Sequence, residues 1–159
     1  ILATPQSILD YLLSDTYIED LLPHLDAVSN IDEFEVARRG DTIEQRMRYE
    51  APTKLPGFLK RYEAKMPELV HWEERGVWNT HTFEMTLEIV PDAPESWNDR
   101  WDQAGSLRLV ERDGGTELIQ VLNFNIHAFG LGKFVERALG PEIEDIFETR
   151  ADVVRKHFL

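Results

Sequence analysis

The sequence predicts an α+β fold in which an antiparallel sheet of about six strands is covered by one long C-terminal helix. Three observations predict it. Apolar residues recur with period two through the middle of the chain, as in Phe83, Met85, Leu87 and Ile89. They recur with helical spacing at both ends. Two glycine turns, Arg39-Gly40-Asp41 and Asp113-Gly114-Gly115, separate alternating runs as hairpins do.

The elements follow in order. Thr4-Pro5 starts a helix, since Thr caps free amides and Pro suits the first turn. Ile8, Leu9, Leu12 and Leu13 give it a buried face. Asp15 can cap a second short helix, with Ile18, Leu21, Leu22 and Leu25 inward and Pro23 limiting its length. From Ile31 the period is two: Phe34 and Val36, then Ile43, Met47 and Tyr49, form a hairpin with one wet face. The stretch from Pro52 to Pro67 interrupts the sheet, with a short helix expected around Phe58, Leu59 and Tyr62. Strands are expected at Leu69–Arg75, around Trp72, at His81–Ile89, at Ser106–Glu111 and at Thr116–Ala128. Between them Pro91 to Asp102 reads as an acidic loop carrying Trp97 and Trp101, which either gate a cavity or anchor the loop. Gly130-Leu131-Gly132 ends the sheet. A helix then runs from about Lys133 to Leu159, with Phe134, Ala138, Leu139, Ile143, Ile146, Phe147, Val154 and Phe158 on one stripe and Arg150 among the polar residues elsewhere. Gly140-Pro141 is expected to kink or split it.

Composition narrows function. The chain has 159 residues, which suits one domain spanning 1–159 with one core. It has no cysteine, which excludes disulfides, thiolate chemistry and cysteine-ligated metals and suits a reducing, cytoplasmic setting. A net charge of −13 without a basic patch disfavours nucleic acid. No apolar run reaches the ~18 residues of a membrane span, and no basic segment precedes an apolar run, so neither a transmembrane segment nor a signal peptide is expected.

The opening ATPQSILDYLLSDTYIEDLLPHL, the interrupted meander and the closing GLGKFVERALGPEIEDIFETRADVV resemble the START-like, or Bet v 1-like (SRPBCC), helix-grip superfamily. Leu-Pro-Gly-Phe at 55–58, Trp72, Gly105-Ser-Leu, Gly114-Gly-Thr and Glu136 are most similar to an uncharacterised bacterial family within it, DUF2505. The resemblance covers nearly the whole chain. It implies a curved sheet of six to seven strands wrapped on the terminal helix, with two short helices after a first strand that would precede Thr4. It also implies a cavity between sheet and helix, used in the superfamily for lipids, sterols, polyketides or other apolar ligands, and in the cyclases and aromatases for chemistry.

The candidate ligand-binding set is accordingly Tyr49, Trp72, His81, Phe83, Met85, Leu107, Leu109, Gln120, Leu122, Phe124, Phe134, Ala138 and Phe147. Its apolar members either line a cavity or fill the core, because interiors are densely packed by default. His81 shares parity with Phe83 and Met85, and Gln120 with Leu118 and Leu122, so either both point inward, to orient a ligand or with His81 as a general base, or His81 sits at the open end of its strand and Gln120 makes a local hydrogen bond. With Tyr49 they are the polar constellation of an alternative enzymatic reading, a cyclase or dehydratase; no catalytic residue is assigned. A protein-interaction module, or a homodimer through the sheet edge or the Trp97–Trp101 loop, is the third reading. The histidines lack metal-ligand spacing, with His71 facing His81 across two strands as the one thought in that direction, so no metal or other cofactor is expected. The acidic run Glu142, Glu144, Asp145 and Glu148 reads as a solvated helix face, and no serine stands in a nucleophile elbow.

Overall fold

The computed structural model describes residues 1–54, 57, 60, 61, 64, 67–92, 101–127 and 132–159, and only the backbone of 101, 102, 126, 132–139 and 142. Six antiparallel strands form one sheet in simple sequential order: β1 (Asn30–Arg39), β2 (Thr42–Pro52), β3 (Leu69–Asn79), β4 (Glu84–Pro91), β5 (Trp101–Arg112) and β6 (Gly115–Ile126). Helices α1 (Pro5–Leu12) and α2 (Asp15–Leu21) precede it, and α3 (Gly132–His157) closes the chain. The short helix expected around Phe58, Leu59 and Tyr62, the residue Trp97, and the pair Gly130-Leu131 lie outside the described residues.

The helix starts follow from their caps. Thr4 Oγ1 accepts from the Ser7 amide at 3.2 Å, ahead of Pro5. Ser14, rather than the expected Asp15, caps α2, its Oγ accepting from the Tyr17 amide at 3.3 Å. Asp15 instead occupies the first turn, where a carboxylate suits the helix dipole. Both predicted hairpins form, and each turns on a glycine in the left-handed region, Gly40 at φ 58° and Gly114 at φ 80°.

Three strand boundaries differ clearly from expectation, the first being β5, which begins at Trp101 and so takes into the sheet a residue expected in the acidic loop. β3 continues past Arg75 to Asn79, paired on both sides with β2 and β4, and Gly76 leaves room there for the Met85 side chain, whose sulfur a Cβ would meet. The strand expected from His81 starts only at Glu84. Asn79 causes this: its Oδ1 accepts from the amides of His81 (2.9 Å) and Thr82 (3.1 Å), winding the chain into a turn that ends at Phe83 with φ 53°.

The inward faces of β2, β3, β4 and β5 carry Ile43, Met47, Tyr49, Trp78, Met85, Leu87, Leu107 and Leu109. They pack with Ile8, Leu9 and Leu12 of α1, Tyr17 and Leu21 of α2, and Val153 and Val154 of α3. A buried relay ties α1 to the sheet: Trp78 Nε1 donates to Gln45 Oε1 and Gln45 Nε2 donates to the Leu12 carbonyl, both at 3.1 Å. That carbonyl is one of those an α-helix leaves unpaired at its C-terminal end. Gln45→Leu strands a buried indole N–H and this carbonyl together, so a loss of about 2–4 kcal/mol in urea unfolding is expected; a loss under about 0.5 kcal/mol contradicts the relay.

The free edge of β6 is partly covered. Ile1 and Thr116 exchange both backbone hydrogen bonds, at 3.0 and 2.8 Å, as one antiparallel pair does. This pair stands where the first strand of a seven-stranded version would run. At the other end of the chain α3 runs through Pro141 as one helix, so of the expected kink or split the split does not occur. Pro141 removes one backbone donor, but it lies in a helix held by packing further along. Its last turn is docked on α1, where the rings of Tyr11 and His157 stack at 3.7 Å and Tyr11 donates to Asp20 at 2.8 Å.

Candidate ligand groove

A groove of about 500 Å³ lies between β6 and α3. Alternation on β6 supplies Gln120, Leu122 and Phe124, all on the face toward the helix. Helical spacing supplies Gly140, Ile143, Glu144, Phe147, Glu148 and Ala151, which recur every three or four residues on one side of α3. Among the described residues, small side chains stand where a large one would fill the groove. Gly140 has open space where a Cβ would be, and Ala151 ends at its methyl.

Gln120 is the polar contribution of the sheet. Its Nε2 donates to the Phe147 carbonyl at 3.2 Å, fixing β6 to α3. Its Oε1 is buried and has no hydrogen-bond partner among the described residues. A buried unpaired carbonyl is costly, and such groups call for a physical reason.

Beneath the groove sits a charged cluster. Arg150 Nη2 donates to Glu74 Oε2 at 2.6 Å and to the Tyr49 hydroxyl. The guanidinium lies 5.6 Å from the Phe147 ring centre and 5.7 Å from that of Tyr49, which stacks on Trp72 at 5.2 Å. Phe147 is therefore shared, one side facing the groove and the ring resting near a buried cation. Burial pushes the Tyr17 phenol up to about 12, and burial likewise lifts Tyr49 well above the ordinary phenol range against the opposing pull of Arg150. Burial alone would lower the Arg150 pKa; the neighbouring Glu74 more than reverses this and holds it charged. Arg150 was expected on the polar side of α3. The structure buries it, because Glu74 shares the inward parity of Trp72 and Trp78 and needs a cation there.

The candidate residues thus divide. Gln120, Leu122, Phe124 and Phe147 meet at the groove. Tyr49, Met85, Leu107 and Leu109 are buried in the core, and Trp72 and Phe83 pack against it. The side chains of Phe134 and Ala138 lie outside the described residues. His81 is corrected: it stands in the Asn79 turn, its side chain 73% exposed, with Nε2 3.2 Å from Asp41. The polar constellation of His81 with Gln120 and Tyr49 does not assemble, since these side chains hold Asp41, Phe147 and Arg150 respectively. His71 and His81 do not face each other either, as His71 pairs with Glu50 at 3.1 Å near the opposite end of β3. No cluster of three His, Asp or Glu able to hold a metal occurs among the described residues. Nor is any described helix long and apolar enough to cross a membrane. The sequence reading missed Glu74 and Gln45, two polar residues at inward strand positions; parity with Trp72 and with Ile43 and Met47 is the signal that finds them.

The sequence profile of DUF2505, described as a protein of unknown function, matches residues 1–157. The chain belongs to the DUF2505 family. No curated protein sequence matches it. Among solved structures, this DUF2505 chain is similar to TTHA0849 from Thermus thermophilus, with a TM-score of 0.58 and 20% identity over 99% of this chain and 93% of that one. It is also similar to the Zhui aromatase/cyclase from a Streptomyces species, with a TM-score of 0.56 and 14% identity over 98% of this chain and 90% of that one. Both are SRPBCC-type helix-grip folds, so this DUF2505 member has that fold.

Proposed function

We propose that this protein binds a hydrophobic small molecule or lipid in the groove between β6 and α3. The groove itself carries the reading. Its volume of about 500 Å³ falls within the range of roughly 300–1,000 Å³ typical of small-molecule sites. Leu122, Phe124, Ile143, Phe147 and Ala151 make an apolar wall, and Gln120 supplies the sparse polar group that orients a ligand in such sites. A cysteine-free chain is compatible with this role in the cytoplasm.

The test uses Nile red, an uncharged apolar dye, with the wild type and Ala151→Phe. The wild type is expected to bind the dye with saturable fluorescence. Ala151→Phe places a ring in the groove and is expected to abolish binding while keeping the melting temperature within about 4 °C, a shift equivalent to roughly 1 kcal/mol. Absence of dye binding by the wild type, or undiminished binding by the variant, rejects the reading. Native mass spectrometry of the purified protein then reports the mass of any retained ligand.

A further inference from the structure

We infer that this protein forms a symmetric dimer by pairing its edge strand β1, antiparallel, with β1 of a second copy, about a two-fold axis at Val36. The partner is another molecule of the same chain, and the inference is independent of the groove.

β1 ends the sheet. It pairs with β2 on one side, and no strand among the described residues pairs with its other side. That side is a row of backbone donors and acceptors which a further strand can take up. Two features set the length able to pair regularly. The register with β2 shifts between Ile31 and Glu33, and Gly40 turns the chain at φ 58°. Seven residues in regular register, Glu33 to Arg39, lie between them. A two-fold axis that reverses the strand and keeps the faces of the sheet pairs residues of one face with each other. The pairing of greatest overlap is therefore centred on the middle residue, Val36.

Side-chain chemistry selects the same centre. Val36 has the inward parity of its β2 neighbour Gln45, yet it is 37% exposed because no described strand continues the sheet beyond it. In the centred register it meets Val36 of the second copy. Glu33 meets Arg39 and Phe34 meets Arg38, each twice by symmetry. The first is an opposite-charge cross-strand pair, and the second sets a guanidinium beside an aromatic ring. Arg38 makes no ion pair among the described residues. Glu33 and Arg39 hold only partly exposed partners within the chain, Arg46 and Arg48 for the one and Glu44 for the other, and such pairs are weak.

The neighbouring registers are worse. Moving the axis to Glu35 sets that carboxylate against itself. Moving it to Ala37 shortens the pairing to five residues and carries Glu33 past the turn onto Asp41. Charged side chains usually keep an edge strand single. Here they are sorted, acids toward one end and arginines toward the other, which favours the chain's own reversed copy. β6 stands at the opposite edge, so both grooves of the dimer stay open.

Sedimentation equilibrium of the full chain tests this, at about 0.15 M salt, where the repulsion between two acidic molecules is screened within about 8 Å. An edge pairing is smaller than a standard interface, so association is expected at roughly micromolar to hundred-micromolar concentrations. The mass should rise from 18.5 kDa toward twice that value. Glu33→Arg and Arg39→Glu each set like charges across the axis twice, and each should weaken association by about tenfold or more. An equal mixture of the two variants restores opposite charges at both contacts and should associate as wild type does. Val36→Cys, in a chain without cysteine, should oxidise to a covalent dimer, since directly opposed Cβ atoms stand about 4.5–5.5 Å apart. Arg38→Cys lies on the same face but about 13 Å from its own copy, and should not.

A wild type that stays monomeric through the series overturns the inference and leaves the edge to a strand of some other protein. Association that survives both charge variants, or a mixture that stays monomeric, overturns it too. So does a covalent dimer of Arg38→Cys as abundant as that of Val36→Cys, which would place the contact elsewhere. Circular dichroism reports whether the charge variants fold; if either does not, the two cysteine variants decide alone.

Discussion

Arg150→Met is expected to lower the folding free energy by about 3–5 kcal/mol, the range seen when one partner of a buried ion pair is removed. The two side chains are 8% and 5% exposed and 2.6 Å apart, so the Glu74 carboxylate left behind would be sealed from water without a cation. Tyr49 would lose its donor in the same step. The pair itself is a weak source of net stability, because removing both charges from water costs about what their attraction returns. Arg150→Met/Glu74→Leu is accordingly expected to recover most of the loss. Urea unfolding of the two single variants and the double one measures this, and a coupling below about 0.5 kcal/mol rejects the pair as buried and joined. The charges also fix position. Arg150 stands three residues beyond Phe147 on α3, and it fastens that turn to β2 and β3. We expect the double variant, though stable, to bind Nile red less tightly than wild type because the Phe147 wall is no longer held in one place. Equal dye affinity would show that apolar packing alone sets the wall.

The same pair shows where sequence reasoning stopped. Alternation placed Tyr49, Met85, Leu107 and Leu122 on the inner face, and the glycine turns at Gly40 and Gly114 set the hairpins, since both signals act within a few residues. The alternation of Phe83 to Ile89 does not carry back to His81, because the Asn79 side chain takes the amides of His81 and Thr82 and keeps the backbone there from extending. Arg150 looked solvent-facing because its partner lies 76 positions away and helical periodicity carries no record of it. Glu74 was the legible half: a carboxylate in phase with two tryptophans demands a counter-charge or a proton.

The groove was legible only in part. Parity brought Gln120, Leu122 and Phe124 to one face, and the helical stripe brought Ile143 and Phe147 to another. Whether two such faces touch or stand apart depends on the size of the residues between them. Gly140 and Ala151, which keep them apart, carry no hydrophobic signal of their own. The sequence therefore identifies the walls before it can show the space between them.

Alkaline pH is expected to unfold this protein well before its helices lose intrinsic stability, because tyrosines are buried around the Arg150 cluster. Burial is the main cause and the Glu74 charge a lesser one, while Arg150 pulls the other way. In the unfolded chain a phenol ionises near pH 10. In the native state Tyr17 holds its proton to about 12, and Tyr49 and Tyr11 also hold theirs above the ordinary range. Between these limits the folded chain carries more bound protons than the unfolded one, so stability falls as pH rises. The contribution is complete below about pH 10 and is lost through about pH 12; for Tyr17 alone it amounts to roughly 3 kcal/mol. Urea midpoints at about pH 8, 9.5 and 11 should therefore drop steeply across the last interval, with tyrosinate absorbance beyond that of one phenol rising together with unfolding rather than before it. Tyr17→Phe removes the most sharply defined of these protons and should flatten the drop. The chain has four tyrosines, so a wild-type midpoint that stays level to pH 11, or folded-state tyrosinate absorbance exceeding that of one phenol, would mean that water reaches these phenols and that the cluster beneath the groove is open.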